Sequence, residues 1–299
     1  MSSINKILRH IRTNLHKGMI VPAVLLFITF TLLPILFSIG LSLTDWNGYS
    51  SPDFIGLQNF IKFFEDERAM GAVENSVFFA LLSVPLLNIL GLSYAILLDR
   101  KFKGVNLVKA IVYIPAVISP LIMGYVWMFV LQDNHGAIYA VFEFIGRGEQ
   151  YINFLGDPKM AMYIIIIVNA FQFVGLTMTI YAAGLQGIPQ DLYESSAVDG
   201  ATKFQQFKNI TFPMLGPSIV INVITNIIGS LAIFDLVVSL TGGGPGYATE
   251  SISLYIFRQS YGGQSGYAAS VSLIMFVLVL VPVLISLRLM KKSRLHLED

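Results

Sequence analysis

Residues 187–217 read GIPQDLYESSAVDGATKFQQFKNITFPMLGP, a polar stretch set between two long apolar runs, Met160–Gln190 and Asn209–Phe234. Pro189 fits the first turn of a helix, where its missing N–H costs nothing. Gly200 can take the left-handed conformation that ends a helix. The stretch therefore predicts a short helix, a turn and a second helix. Such a compact loop favours a docking surface for a soluble partner, or else a turn that packs only on its own bundle.

The rest of the chain is too apolar for a soluble domain. It has 299 residues, of which 55% are hydrophobic and 12% are charged, whereas soluble domains carry about 25% charged residues. A membrane-spanning helix needs about 20 apolar residues. Uncharged runs of that length cover Gly18–Thr44, Asn75–Leu98, Ala110–Gln132, Met160–Gln190, Asn209–Phe234 and Gln259–Leu287, the last with its span starting near Gly266. These runs predict an all-α integral membrane protein with six transmembrane helices.

Lysine and arginine predict the orientation. The N-terminal tail, the second and fourth loops and the C-terminal end carry 14 of the 19 Lys and Arg residues, and the opposite side carries 5. Positive residues concentrate on the cytoplasmic side of a membrane. Both termini and the loop at 187–217 are therefore predicted to be cytoplasmic.

The chain divides into a tail, one membrane domain and a second tail. Residues 1–18 form a predicted cytoplasmic amphipathic segment, because Ile4, Ile7, Leu8, Ile11 and Leu15 share one helical face. Residues 19–290 form the six-helix domain, with the patterned loop at 187–213, and residues 291–299 form a cytoplasmic tail. Helical spacing of apolar residues also predicts short outer helices over Leu57–Phe64 and Ile138–Ile145.

The chain offers little catalytic chemistry. It has no cysteine, and its four histidines are scattered without metal-ligand spacing. The glycine-rich stretch Gly242–Gly246 lacks the Gly-Lys-Ser/Thr ending of a phosphate loop. We therefore predict no metal site and no ATP hydrolysis by this chain. Gly242–Gly246 is either a tight turn into the sixth span or a contact for an outer protein.

The patterned loop resembles a known family. Glu194-Ser195-Ser196-Ala197-Val198-Asp199-Gly200-Ala201, followed by Phe207, Ile210, Phe212 and Pro213, is similar to the EAA loop of binding-protein-dependent ABC importer permeases. Ser195 and Ser196 replace the two alanines of the family pattern, and Phe212 replaces a leucine. Phe54–Phe60 and Leu240–Gly246 resemble outer segments of its carbohydrate-uptake branch.

The resemblance implies a type I ABC importer permease fold, in which the loop forms a cytoplasmic coupling helix docked on an ATPase. The residues expected in that contact are Tyr193, Glu194, Ser195, Ser196, Ala197, Asp199, Gly200 and Ala201. The second helix is expected to start near Ala201. The chain would be a transport subunit rather than an enzyme, placed in a bacterial plasma membrane as a multi-pass protein.

The same resemblance implies partners and cargo. The partners would be a second homologous permease subunit, two ABC ATPase subunits and an extracytoplasmic sugar-binding protein, with membrane lipid around them. ATP and Mg would be used by the ATPase, and this chain would bind no cofactor. Di- or oligosaccharides are the expected cargo, with glycerol phosphate as the alternative within the branch. A net charge of +1 gives no reason to expect nucleic acid.

Six residues are candidates for the substrate path. Sugar sites use polar side chains for hydroxyl groups and aromatic rings for sugar faces. The candidates are Asn169, Gln172, Phe173, Asn222, Asn226 and Asp235. For the amides, the alternative is hydrogen bonding between helices. Asp235, expected near the outer end of the fifth span, could instead serve a structural bond, a gate or proton coupling.

A transporter or channel that works alone is the alternative function. Repeated halves and paired charges inside the membrane would favour a secondary transporter. The sequence shows neither feature.

Overall fold

The computed structural model describes residues 20–100, 102–133 and 135–298, with side chains described up to Arg288. The predicted amphipathic segment around Ile4–Leu15 lies outside the described residues. The described part is almost entirely helical, which confirms the all-α prediction. Its helices are α1 (Ile20–Leu41), α2 (Gln58–Glu65), α3 (Glu67–Leu97), α4 (Val105–Val117), α5 (Pro120–Val130), α6 (Ala137–Phe144), α7 (Ala161–Gln186), α8 (Gln190–Val198), α9 (Lys203–Met214), α10 (Gly216–Leu231), α11 (Asp235–Leu240), α12 (Ile252–Tyr261) and α13 (Ser265–Glu298).

Within the described residues, six spans result when each sharply bent helix pair counts as one span. Four helices are long and apolar enough to cross a membrane by themselves, namely α1, α3, α7 and the Ser265–Arg288 part of α13. The pair α4 and α5 is bent by 97°, and the pair α9 and α10 is bent by 64°. The count agrees with the predicted six, and the predicted outer helices are present as α2 and α6. The predicted tail at 291–299 continues α13 as far as Glu298.

The third span is not one continuous helix, because it breaks just before Pro120 within the apolar run Ala110–Gln132. Helix α4 ends at Val117 and α5 begins at Pro120. The residue before a proline is disfavoured in the helical region, and both Ile118 and Ser119 have extended ψ angles, of 138° and 133°. Gln172 on α7 donates to the carbonyl oxygen of Ile118 at 2.9 Å, so a neighbouring helix satisfies a group that the break releases.

The fifth span also differs from its prediction. Helix α9 begins well before the apolar run, contains a five-residue π-helical stretch at Phe207–Thr211, and meets α10 at Leu215. Helix α10 ends at Leu231, short of the predicted Phe234. Asp235 therefore lies in the first turn of the separate helix α11 rather than near the end of the fifth span.

The described residues divide into two compact units. The first contains residues 20–63 and 256–274. In it, a buried asparagine holds the segment that follows α1 by hydrogen bonds. The side chain of Asn59 donates to the carbonyl oxygens of Ser42 and Thr44 at 2.9 and 2.8 Å. A Cβ on Gly266 would lie 2.2 Å from the carbonyl oxygen of Thr44. A glycine is therefore required at position 266, where the start of α13 passes the backbone of Thr44.

The second unit contains residues 64–255 and 275–298, with α7 at its centre. Helix α7 packs against α3, α4 and α10, and α5 packs against α11. Small residues permit the closest helix approaches in membrane proteins. A Cβ on Gly175 would lie 2.3 Å from the carbonyl oxygen of Val112, so α7 and α4 touch backbone to backbone. The main apolar core of this unit includes Phe79, Met123, Ile165, Val168, Leu236 and Val237.

Candidate functional site

Helix α8 occupies the predicted place in the polar loop. Pro189 precedes it in an extended conformation (φ −58°, ψ 131°), so the helix starts one residue after the proline. Asp191 lies in the first turn, where the helix dipole favours negative charge. Gly200 has φ +80°. The turn closes when the N–H of Ala201 donates to the carbonyl oxygen of Ser196 at 2.9 Å. The helix and its glycine end are confirmed.

The second helix of the loop begins at Lys203 rather than near Ala201. Thr202 and Gln205 form a capping box: the Thr202 hydroxyl accepts from the Gln205 N–H, and the Gln205 side chain accepts from the Thr202 N–H at 2.7 Å. Together these bonds satisfy two N–H groups at the start of the helix. The sequence signal is the Thr-x-x-Gln spacing at 202–205, which fixes the boundary that the glycine alone leaves open.

Helix α8 has one face turned toward α9 and one face exposed. Tyr193 and Ser196 are partly buried, and the Tyr193 hydroxyl lies 2.9 Å from the Thr211 hydroxyl. The remaining residues from Glu194 to Gly200 are exposed, and Val198 is 88% exposed. The exposed face therefore combines small side chains with an apolar one. An exposed apolar and small surface of this kind is suited to close contact with another protein.

A cavity of about 240 Å³ lies between α3, α5, α7, α10 and α11. Four of the six predicted path residues line it: Asn169, Phe173, Asn226 and Asp235. Asn169 donates to the Ser83 hydroxyl at 2.8 Å, which fixes its orientation. Asn226 is held more loosely, with 3.4 Å between its amide nitrogen and the Thr177 hydroxyl. The cavity thus brings amide, carboxylate and aromatic groups together inside the helical bundle.

The other two predicted path residues lie outside that lining. Gln172 is fully buried and donates to Ile118 at the break between α4 and α5. Asn222 is 1% exposed and donates to the carbonyl oxygen of Thr177 at 3.3 Å. Both side-chain amides therefore make hydrogen bonds between helices, which is the alternative that the sequence left open for the path amides.

Sequence reasoning missed three further polar or aromatic lining residues, Thr225, Ser230 and Phe234. Ser230 lies one helical turn after Asn226 on the same face of α10. A polar repeat at four-residue spacing could have revealed it. Phe234 lies in the break between α10 and α11, which the hydropathy pattern does not show.

The sequence family described as a binding-protein-dependent transport system inner membrane component matches residues 87–294. The chain belongs to this family. The permease is 33% identical over 285 residues to a probable starch degradation products transport permease of Thermoanaerobacterium thermosulfurigenes, a match covering 93% of this chain and 94% of that protein. It is 35% identical over 263 residues to a trehalose/maltose transport permease of Thermococcus litoralis, covering 88% of each.

A solved structure supports the same fold. A chain of a bacterial alginate ABC transporter, determined in complex with an alginate pentasaccharide-bound periplasmic protein, is 26% identical to the permease. The two align with a TM-score of 0.79 over 92% of this chain and 93% of that chain. The predicted ABC importer permease fold is confirmed. The family description is that of a transport component, which confirms a transport subunit rather than an enzyme.

The two serines that depart from the EAA pattern lie on different faces of α8. The Ser196 hydroxyl donates to the carbonyl oxygen of Tyr193 at 2.9 Å and accepts from the side chain of Gln206 at the same distance. Ser195 is exposed, and its hydroxyl folds back to the carbonyl oxygen of Leu192 at 3.2 Å. The exposed face of the helix therefore keeps the small-residue character of the family pattern.

The glycine-rich loop of the permease is a folded turn that leads into α12 rather than directly into the last span. Gly242, Gly243 and Gly246 have positive φ angles. The Thr249 hydroxyl donates to the carbonyl oxygen of Gly244 at 2.7 Å. Among the described residues, no group of three or more His, Cys, Asp or Glu side chains could hold a metal ion.

Proposed function

We propose that the permease conducts neutral di- or oligosaccharides in an ATP-driven importer supplied by an extracytoplasmic binding protein. The starch-product, trehalose/maltose and alginate relatives support a carbohydrate cargo. The family description supports a binding-protein partner. The second homologous permease subunit and two ATPase subunits complete the proposed assembly.

The residues that line the cavity are the reason for proposing a neutral cargo. Among the described residues that line it, none is lysine, arginine or histidine, and the one ionisable side chain is Asp235. Inside a bundle, an anionic cargo would meet the Asp235 carboxylate without a compensating cation, and an unpaired charge is costly there. Hydroxyl groups, in contrast, can pair with Asn169, Asn226 and Asp235, and Phe173 can cover a sugar face. Glycerol phosphate and acidic saccharides are therefore disfavoured.

The cavity is small for a whole oligosaccharide. Binding sites for drug-sized ligands measure about 300–1,000 Å³, against about 240 Å³ here. We infer that the cavity holds one end of the cargo and that the second permease subunit supplies further walls. A heterodimeric permease is consistent with this division.

The exposed face of α8 is the proposed ATPase contact. Glu194, Ser195, Ala197 and Asp199 are exposed there, and the charge distribution of the chain favours a cytoplasmic position for this loop and both termini. ATP and Mg would be bound by the ATPase, and this chain would bind no cofactor. ATPase closure can drive transport only if its contact with α8 differs in free energy between the conformational states.

The proposal is tested by uptake into proteoliposomes that contain the permease, its partner permease and the ATPase. Purified binding protein and a radiolabelled cargo are added outside, with maltotriose, an alginate trisaccharide and glycerol 3-phosphate compared. We expect ATP-dependent uptake of maltotriose alone. Uptake of an anionic cargo would contradict the neutral-sugar assignment. Uptake without ATP and ATPase would instead favour a secondary transporter or channel.

A further inference from the structure

A buried glutamine of α9 makes hydrogen bonds to helix α8. Gln206 is 4% exposed although it lies in the polar loop. Its side-chain nitrogen donates to the carbonyl oxygen of Tyr193 at 3.1 Å and to the Ser196 hydroxyl at 2.9 Å. Its side-chain oxygen accepts from the Lys203 ammonium at 3.2 Å. One amide therefore joins two successive inward positions of α8 to the first turn of α9.

A second contact lies one turn further along α9. Thr211 is 7% exposed, and its hydroxyl lies 2.9 Å from the Tyr193 hydroxyl. Tyr193 is thus held at its backbone by Gln206 and at its ring end by Thr211. Two attachment points on different turns fix both the position and the rotation of α8 relative to α9.

Helix α9, which makes these contacts with α8, is not a regular α-helix throughout. Residues Phe207–Thr211 form the π-helical stretch, and the chain then bends by 64° at the fully buried Leu215 on entering α10. π-Helical stretches are rare and often occur at functional sites. Helix α10 carries Asn226 and Ser230 into the cavity. Side-chain hydrogen bonds therefore connect α8 to α9, and the chain itself connects α9 through α10 to the cavity wall.

We propose that Gln206, with Thr211, positions α8 so that its displacement moves α9 and α10 as one body. Gln206 is a positioning residue in this scheme, and it touches neither the cargo nor the ATPase. The inference rests on the proposed function, in which the ATPase docks on α8. Such coupling requires an element with two arrangements that both sites can bias, and the body formed by α8, α9 and α10 is that element in this scheme.

The test separates coupling from assembly. Gln206→Leu removes the amide at similar volume, and Asn209→Leu makes the same kind of change at an exposed position of α9. Three quantities are measured in the reconstituted complex: ATPase affinity for the permease, ATP hydrolysis, and sugar uptake per ATP hydrolysed. For Gln206→Leu we expect affinity within about twofold of wild type and uptake per ATP lowered about tenfold, because buried partners lose their hydrogen bonds. Asn209→Leu should match wild type in all three.

A second pair of variants decides the question if Gln206→Leu fails to insert. Thr211→Val removes the hydroxyl at nearly constant shape, and Thr211→Ser keeps it. We expect Thr211→Val to lower uptake per ATP and Thr211→Ser to restore most of it. An unchanged ratio in Gln206→Leu and Thr211→Val would overturn the inference, as would losses of ATPase affinity that fully account for the lost uptake. Failure of the wild-type complex to take up sugar with ATP would instead refute the proposed function itself.

Discussion

Arg68 and Glu250 form a bidentate ion pair, with distances of 2.7 Å from Nε to Oε2 and from Nη2 to Oε1. Glu250 is 1% exposed on its side chain, and Arg68 is 33% exposed. The guanidinium also lies 4.0 Å from the ring centre of Tyr247. Asn75 donates to the carbonyl oxygens of Tyr247 and Glu250 at 3.0 and 3.1 Å. The start of α3 therefore holds the segment that follows the glycine-rich loop.

Loss of the arginine removes both charge-assisted bonds that Arg68 donates to the buried Glu250 carboxylate. Arg68→Met should destabilise the permease by about 1–3 kcal/mol, because both charge-assisted bonds to a buried carboxylate are lost. The measurement is thermal unfolding in detergent. The double variant Arg68→Met/Glu250→Gln removes the buried charge and should recover part of the loss. Equal melting temperatures for wild type and Arg68→Met would show that the pair contributes nothing.

The contact between α7 and α4 gives a second prediction. Gly175→Ala would place a Cβ 2.6 Å from the Tyr113 Cα, and because all three atoms within 3 Å of that Cβ belong to backbone, the helices must separate. Overpacking of this kind costs about 1–3 kcal/mol. Gly71→Ala on α3 is the matched control, since nothing lies within 4 Å of its added Cβ. Alanine is favoured over glycine inside helices, so the control should be neutral or slightly stabilising in the same unfolding assay.

The number and type of spans could be predicted from the sequence because a bilayer demands long apolar helices. Pro120 is a sequence signal for the break at Ile118, but hydropathy could not place the bend at Leu215, because an apolar run has the same hydropathy whether it is straight or bent. Asp235 was misplaced for this reason. Its position depends on α10 ending at Leu231, four residues before it.

The candidate sites could also be predicted only in part from the sequence. Gly200 could be recognised as a helix end because a left-handed residue there favours glycine. The roles of Asn226 and Asn222 could not be separated, since both lie on one face of α10 with the same side chain. The structure distinguishes them: Asn222 donates to the carbonyl oxygen of Thr177 outside the cavity lining, whereas Asn226 lines the cavity and lies 3.4 Å from the Thr177 hydroxyl. Gln206 lacks any local signal, because its acceptors lie 10 and 13 residues earlier.

The two asparagines of α10 should respond differently to alanine. Asn226→Ala should lower the affinity for sugar about five- to tenfold with little change in stability, because it removes one hydrogen-bonding group from the cavity wall. Asn222→Ala should lower stability by about 0.6–1.7 kcal/mol, the range for hydrogen bonds between membrane helices. Uptake at varied sugar-loaded binding protein, together with thermal unfolding, measures both effects. Identical behaviour of the two variants would contradict the assignment of Asn226 to the path and of Asn222 to packing.

The end of α8 provides the remaining prediction. Gly200 has φ +80° with open space around its Cα, so Gly200→Ala meets only backbone strain and should cost about 1–2 kcal/mol locally. Gly200→Pro cannot adopt this angle, since proline fixes φ near −65°, and should displace the turn. Glu194→Lys reverses a charge on the exposed face without touching a buried group. We expect Gly200→Pro and Glu194→Lys to insert normally yet lose ATPase binding, whereas Gly200→Ala should keep most of it. Co-purification of the ATPase with each variant is the measurement. Retained ATPase binding and sugar uptake in both Gly200→Pro and Glu194→Lys would refute the docking role of α8.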